Sequence, residues 1–170
     1  EQEVFVQIAV ASGKGGTGKT TIASAFIRLA QAKAFADCDI DAPNLHLSLT
    51  QQSQPIEKDF YGLDKAFIKP DHCAGCGLCA QYCRFEAIQI INDHYQVNEI
   101  ACEGCGLCFE ICPTKTIEMR PQKIGNLSLF KSQHVFSTAQ LKMGSGNSGL
   151  LVSEVKKQLK RNLLPETDLA

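Results

Sequence analysis

The sequence is short of net charge, of long apolar runs and of repetitive tracts, and each shortage closes a route. Its 17 Lys and Arg against 18 Asp and Glu leave a formal charge of −1, so no basic field argues for nucleic acid or an anionic membrane. No apolar run approaches the roughly 18 residues that a membrane-spanning helix needs. No signal-like segment precedes Val4, and no low-complexity tract occurs. The remainder, 170 residues with 44% hydrophobic and 21% charged side chains, is ordinary globular material for one domain or two small ones. The chain starts at Glu1 without a methionine and ends on Asp168, Leu169 and Ala170, where a strand looks about to begin. The expectation is a fragment of a protein from a reducing cytoplasm.

Cysteine is the residue in excess. Eight of nine fall into two copies of Cys-x-x-Cys-x-x-Cys-x-x-x-Cys: Cys73, Cys76, Cys79 and Cys83, then Cys102, Cys105, Cys108 and Cys112. Corresponding cysteines are 29 positions apart (102 − 73 = 29), and a shared Gly-Cys-Gly-Leu-Cys core marks an internal duplication. Three thiolates on one tight loop can wrap a corner of a cubane cluster. Gly75, Gly77, Gly104 and Gly106 let backbone N–H groups approach its sulfides. A disulfide scaffold is the bland alternative, but it belongs to small secreted chains. A zinc ribbon is another, but it presents two separated Cys-x-x-Cys pairs rather than three clustered cysteines and a fourth at fixed offset. Apolar residues are thin in this stretch, so a metal staple is expected to hold it folded.

The run resembles bacterial-type ferredoxins with two [4Fe–4S] clusters. The resemblance implies crossed ligation, in which the fourth cysteine of each run serves the other cluster. Cys73, Cys76, Cys79 and Cys112 would then hold one cluster, and Cys102, Cys105, Cys108 and Cys83 the other. One departure is visible: the second run ends Cys112-Pro113, as in that family, whereas the first ends Cys83-Arg84.

A second signature precedes the cysteines. Gly13-Lys14-Gly15-Gly16-Thr17-Gly18-Lys19-Thr20 fits the Walker A phosphate loop, between a β-rich run at residues 4–10 and a helix from Lys19 to about residue 32, where Ile22, Ala25, Phe26, Leu29 and Ala30 recur at helical spacing. Its backbone N–H groups can cradle a polyphosphate, with Lys19 on the β/γ oxygens and Thr20 on Mg²⁺. The nucleotide-binding set is Gly13, Lys14, Gly15, Gly16, Thr17, Gly18, Lys19, Thr20 and Thr21. With Lys14 included, the loop resembles the deviant Walker A of the MinD/ParA/Mrp superfamily. That resemblance implies a homodimer formed through the nucleotide site, with Lys14 reaching the partner's nucleotide. The segment from Asp37 to Leu45 resembles the family's first switch. Asp39 is thereby implied to orient Mg²⁺-bound or attacking water, making Lys14, Lys19 and Asp39 the catalytic set. Asp37 and Asp41 read as turn formers. Cys38 reads as a buried small apolar residue, and the four histidines as structural or surface residues.

Further elements are a strand at residues 34–37 and, from 41 to 70, a weaker pattern of turns and short pieces. A hairpin follows at 87–91 and 95–97, then strands at 126–131 and 135–141. A last helix at 150–162 carries Leu151, Val155, Leu159 and Leu163 on one stripe. The order of these features resembles P-loop ATPases with an inserted ferredoxin domain. The implied fold is α/β: a SIMIBI-like P-loop NTPase with a parallel sheet, incomplete at its C-terminus, plus an α+β two-cluster module. The expected segments are 1–63 and 121–170 for the P-loop domain and 64–120 for the insert. The second switch and the Walker B-like strand of that family do not occur before Ala170. The implied function is an ATP-binding iron–sulfur protein that couples nucleotide state to electron transfer. Its cofactors would be two [4Fe–4S] clusters, ATP and Mg²⁺, and its partner a redox or cluster-acceptor protein. Two other readings stand beside it: a non-catalytic ferredoxin-type carrier with a remnant nucleotide domain, and an ATP-regulated cluster carrier.

Overall fold

The structure, a computed structural model, describes residues 6–13, 16–49 and 53–163. In chain order its first elements are α1 (Lys19–Leu29), β1 (Ala34–Asp37), α2 (Leu45–Ser48), β2 (Ile56–Tyr61) and β3 (Lys65–Ile68). Then come α3 (Leu78–Gln81), β4 (Ile88–Ile91), β5 (His94–Val97), α4 (Leu107–Ile111) and β6 (Ile117–Arg120). The last are β7 (Lys123–Lys131), β8 (Val135–Leu141) and α5 (Ser148–Arg161). The described residues divide into two compact units. One takes the chain up to Phe60 with Gly125–Lys142 and the residues from Ser148 onward; the other takes Tyr61–Ile124 and Met143–Asn147.

The first unit is mixed α/β. Its sheet has the order β1-β8-β7-β2, with β1 and β8 parallel and β7 and β8 antiparallel. β8 is buried over five consecutive residues, Val135 to Ala139, as an interior strand requires. α5 covers one face, where Leu151 and Val155 pack with Ile40, Leu127 and Ala139. Gln158, rather than Leu159, takes the next buried turn of α5, where its Oε1 lies 2.8 Å from Ser137 Oγ. On α1 the core side is carried by Ala23 and Ile27, which meet Phe35, Leu45 and Phe136. Ile22, Phe26 and Leu29, part of the apolar stripe that periodicity selects, lie on the exposed side. Two neighbouring faces of α1 are apolar, and the sheet uses only one.

The strand expected at residues 4–10 is not formed over its described part. Val6 makes one isolated bridge, residues 7–10 are irregular, and Val6 and Ile8 are 54% and 48% exposed. β propensity becomes a strand only where a neighbouring edge supplies ladder partners, and among the described residues of this run no such ladder forms. The stretch from 41 to 70, expected as turns and short pieces, contains β2 and β3. β2 is exposed at nearly every position, so no buried face marks it in the pattern.

The second unit is built by the duplication. Adding 29 to β3 gives β5 (65 + 29 = 94), to α3 gives the start of α4 (78 + 29 = 107), and to β4 gives β6 (88 + 29 = 117). The two β–α–β halves interlock, because β3 pairs antiparallel with β6 while β4 pairs with β5. Backbone detail repeats as well. Glu86 and Lys115 (86 + 29 = 115) hold left-handed φ of 51° and 50°, each just after the fourth cysteine of its run. The core combines Ile68, Ala87, Ile88 and Ile117 with Cys102 and Cys112.

Candidate metal centres and phosphate loop

Each cysteine run begins on a loop and enters its short helix through a left-handed glycine. Gly77 (φ 75°) precedes α3 and Gly106 (φ 77°) precedes α4, a conformation that side chains with a Cβ resist. The fourth cysteine lies beyond the helix, and the interlocked strands carry it to the other half. Two cavities result. One is lined by Cys102, Cys105 and Cys108 of the second run and by Cys83 of the first. The other is lined by Cys73, Cys76 and Cys79 of the first run and by Cys112 of the second. The donor chemistry, four thiols to a cavity, fits an iron–sulfur cluster in each. Among the described residues no three His, Cys, Asp or Glu side chains are grouped as ligands of a single metal ion.

The paired fourth cysteines are not equivalent. Cys83 Sγ accepts the backbone N–H of Ala87 at 3.4 Å. Cys112 Sγ lies 3.6 Å from Thr114 Oγ1, whereas the position matching Thr114 in the first half is Phe85 (114 − 29 = 85). Burial by itself would raise the Cys112 thiol, but hydrogen bonds from Thr114 and from backbone N–H groups outweigh it and lower its pKa. Burial raises Cys79, and it pushes Cys108 up to about 11. Cys76 and Cys105 are exposed, while Cys102 and Cys112 are buried. Spacing had no means of finding Thr114, because its role depends on where its hydroxyl points.

The glycine-rich segment expected to be a phosphate loop belongs to the first unit. Lys14 and Gly15 fall outside the described residues, as do Val4 and Phe5. Gly16 (φ 76°) and Gly18 (φ 84°) are left-handed, and Gly18 caps α1, whose first turn holds no acidic residue. Lys19 Nζ forms an ion pair with Asp39 Oδ2 at 2.6 Å. That hydrogen bond is the main cause of its raised pKa, ahead of the opposing effect of burial. Thr20 Oγ1 donates to Asn44 Oδ1 at 2.9 Å. Gly13, Thr17 and Thr21 are exposed. The structure thus joins the loop and the segment after β1 through two side-chain contacts. Asp37 is buried and accepts the backbone N–H groups of Asp39, Asn44 and Leu45 at 3.0–3.1 Å, holding that segment in its turn. Cys38, expected to be buried, is exposed; it follows the last residue of β1, and the buried residue at that strand end is Asp37.

Comparison with known proteins agrees with the cysteine geometry. Residues 66–119 match the family model of a 4Fe-4S dicluster domain. The chain is 31% identical over 162 residues, 93% of its length, to the uncharacterized protein MJ0578 of Methanocaldococcus jannaschii. It is 45% identical over 69 residues, 38% of its length, to the uncharacterized ATP-binding protein MJ0547 of the same organism. It spans 56% of the first relative and 26% of the second. No described helix is long and apolar enough to cross a membrane. The second unit of this chain therefore contains a dicluster domain of the 4Fe-4S type.

Proposed function

We propose that the chain is the cluster-bearing part of an ATP-binding iron–sulfur protein whose nucleotide state controls electron transfer. The observation that carries the reading is the sorting of eight thiols into two cavities, three from one run and one from the other in each. Cys73, Cys76, Cys79 and Cys112 would hold one [4Fe–4S] cluster, and Cys83, Cys102, Cys105 and Cys108 the second. Bound clusters supply one-electron redox chemistry; the chain supplies thiolates, sulfur-directed hydrogen bonds and apolar cover.

The nucleotide half of the proposal is supported by the left-handed glycines before α1 and by the contacts of Lys19 and Thr20 with Asp39 and Asn44. The relative MJ0547, an uncharacterized ATP-binding protein, points the same way. Gly13, Gly16, Thr17, Gly18, Lys19, Thr20 and Thr21, with Lys14 and Gly15, would bind Mg²⁺–ATP. Lys19 would exchange the Asp39 carboxylate for phosphate oxygens, and Thr20 would turn from Asn44 toward Mg²⁺. Asp39, once free, would orient water, so nucleotide binding would rearrange the segment after β1. A homodimer through Lys14 and a P-loop fold shared with the MinD/ParA superfamily belong to the same proposal, as does insertion of the cluster module into the nucleotide domain.

The test is a redox titration of the full-length protein with and without Mg²⁺–ATP. Nucleotide is expected to shift a cluster potential, and Lys19→Ala to abolish the shift. Equal shifts in both proteins would remove the coupling. Reversible reduction with retained clusters supports electron transfer, whereas rapid loss of clusters to an apo-acceptor would favour cluster delivery.

A further inference from the structure

The second unit carries a buried lysine. Lys65, at the start of β3, is 5% exposed, and its ammonium donates to the carbonyl oxygen of Cys102, the first cysteine of the second run. Among the described residues no carboxylate pairs with it. A lysine this buried normally has a charge partner, because one neutral acceptor does not offset the lost hydration of an ammonium. The neighbouring backbone is close. A Cβ on Gly104 would lie 2.5 Å from the Asp64 carbonyl oxygen and 2.9 Å from Leu63 Cβ. The second cysteine loop is thus pressed against the segment that presents Lys65. The duplication supplies an internal control: the matching residue of the other half is His94 (65 + 29 = 94), which is exposed.

We propose that Lys65 is the counter-charge of the site formed by Cys83, Cys102, Cys105 and Cys108, and that it makes this site the easier of the two to reduce. The inference rests on the cluster reading given above. Reduction by one electron from dithionite or a reduced viologen adds one negative charge within that site. A buried ammonium beside it favours the more negative state, through an attraction that its surroundings screen less than water would. At the twin site the opposing influence is the Thr114 hydroxyl, 3.6 Å from Cys112 Sγ. A neutral hydroxyl on a weak sulfur acceptor counts for less than a full buried charge, so the order set by Lys65 holds.

The experiment uses the whole chain, loaded anaerobically with iron and sulfide and analysed first for metal. About eight iron and eight sulfide per chain support the cluster reading; stoichiometric zinc in their place would remove that reading and the role of Lys65 together. Stepwise reduction is then followed by the hyperfine-shifted β-CH₂ resonances of the cysteines. In the wild type and in Lys65→Arg, the resonances of Cys102, Cys105 and Cys108 should change first. The two sites should differ at least tenfold in reduced-to-oxidised ratio at one ambient potential, which is about 59 mV for a one-electron couple. In Lys65→Met the second-run site should lose roughly tenfold in that ratio, with the first-run site unmoved. With the clusters loaded, an unchanged ratio in Lys65→Met, or simultaneous reduction of both sites in the wild type, overturns the counter-charge role and leaves the cluster reading standing. If Lys65→Met does not load iron, the wild-type order of reduction decides the matter alone.

Discussion

The Thr114 hydroxyl lies 3.6 Å from the Cys112 thiol, a contact that the twin half cannot make because Phe85 stands in the matching place. Hydrogen bonds to ligand sulfur stabilise the more electron-rich state of a cluster. Thr114→Val should therefore lower the potential of the site formed by Cys73, Cys76, Cys79 and Cys112. A contact of about 1 kcal/mol corresponds to roughly 40 mV for one electron. Spectroelectrochemistry resolves this, and an unmoved potential would show that the contact has no energetic part.

Gly75 and Gly104 are duplicates with different surroundings. Both are left-handed, at φ 67° and 71°, but no protein atom lies within 4 Å of a Cβ on Gly75, while one on Gly104 collides with backbone at Asp64. Gly75→Ala should cost about 1–2 kcal/mol, from the left-handed conformation alone. Gly104→Ala should cost more by about 1–3 kcal/mol of overpacking. Denaturant melts of the two loaded variants compare them directly. Equal losses would mean that the 102–105 loop moves away freely.

Removal of iron should unfold the second unit. Its core draws on cysteine side chains themselves, with Cys102 and Cys112 among the buried members, and ordering each residue costs roughly 1–2 kcal/mol of backbone entropy. Amide exchange in the iron-free chain should show loss of protection across β3 to β6. The β8 and α5 amides of the first unit should remain protected. Native-like protection of β4 and β6 without metal would refute the stapling argument.

His134 gives the first unit an acid weakness. Burial lowers its pKa below the usual value near 6.5, with the charge of Lys33 adding to the effect. Its Nε2 has no hydrogen-bond partner among the described residues, and its ring lies 5.0 Å from that of Phe35. The unfolded state takes up the proton first, so stability is full above about pH 6.5 and declines as pH falls toward the depressed folded value. His134→Phe should flatten that decline in thermal melts between pH 7 and 5. A slope identical to wild type would assign the acid sensitivity elsewhere.

Much of the second unit was legible because cysteine spacing and glycine placement are local requirements. The offset of 29 carries through to strands, helices and even the left-handed Glu86 and Lys115. The first unit was less legible at its margins. A β-rich, apolar run at residues 4–10 signals a strand, yet its described part makes a single bridge at Val6 and no ladder, since a strand needs a partner edge that the run itself does not encode. β2 was missed for the opposite reason: its exposed faces leave no alternation to read. On α1 periodicity points to Ile22, Phe26 and Leu29, yet Ala23 and Ile27 on the neighbouring apolar face are the residues that pack against Phe35 and Phe136.

By itself the sequence determined the chemistry on offer: eight thiols in a duplicated pattern and a lysine-bearing glycine loop. Those depend on residue identity and short spacing, which no fold can alter. The crossed grouping of thiols was implied only by resemblance; tertiary structure supplies its physical cause, because the exchange of Cys83 and Cys112 follows from β3 pairing with β6 and β4 with β5. It also decided that Lys65 is buried against Cys102 while His94, its twin, is exposed. Duplicated sequence sets two sites of one kind; the burial of unlike neighbours makes them different.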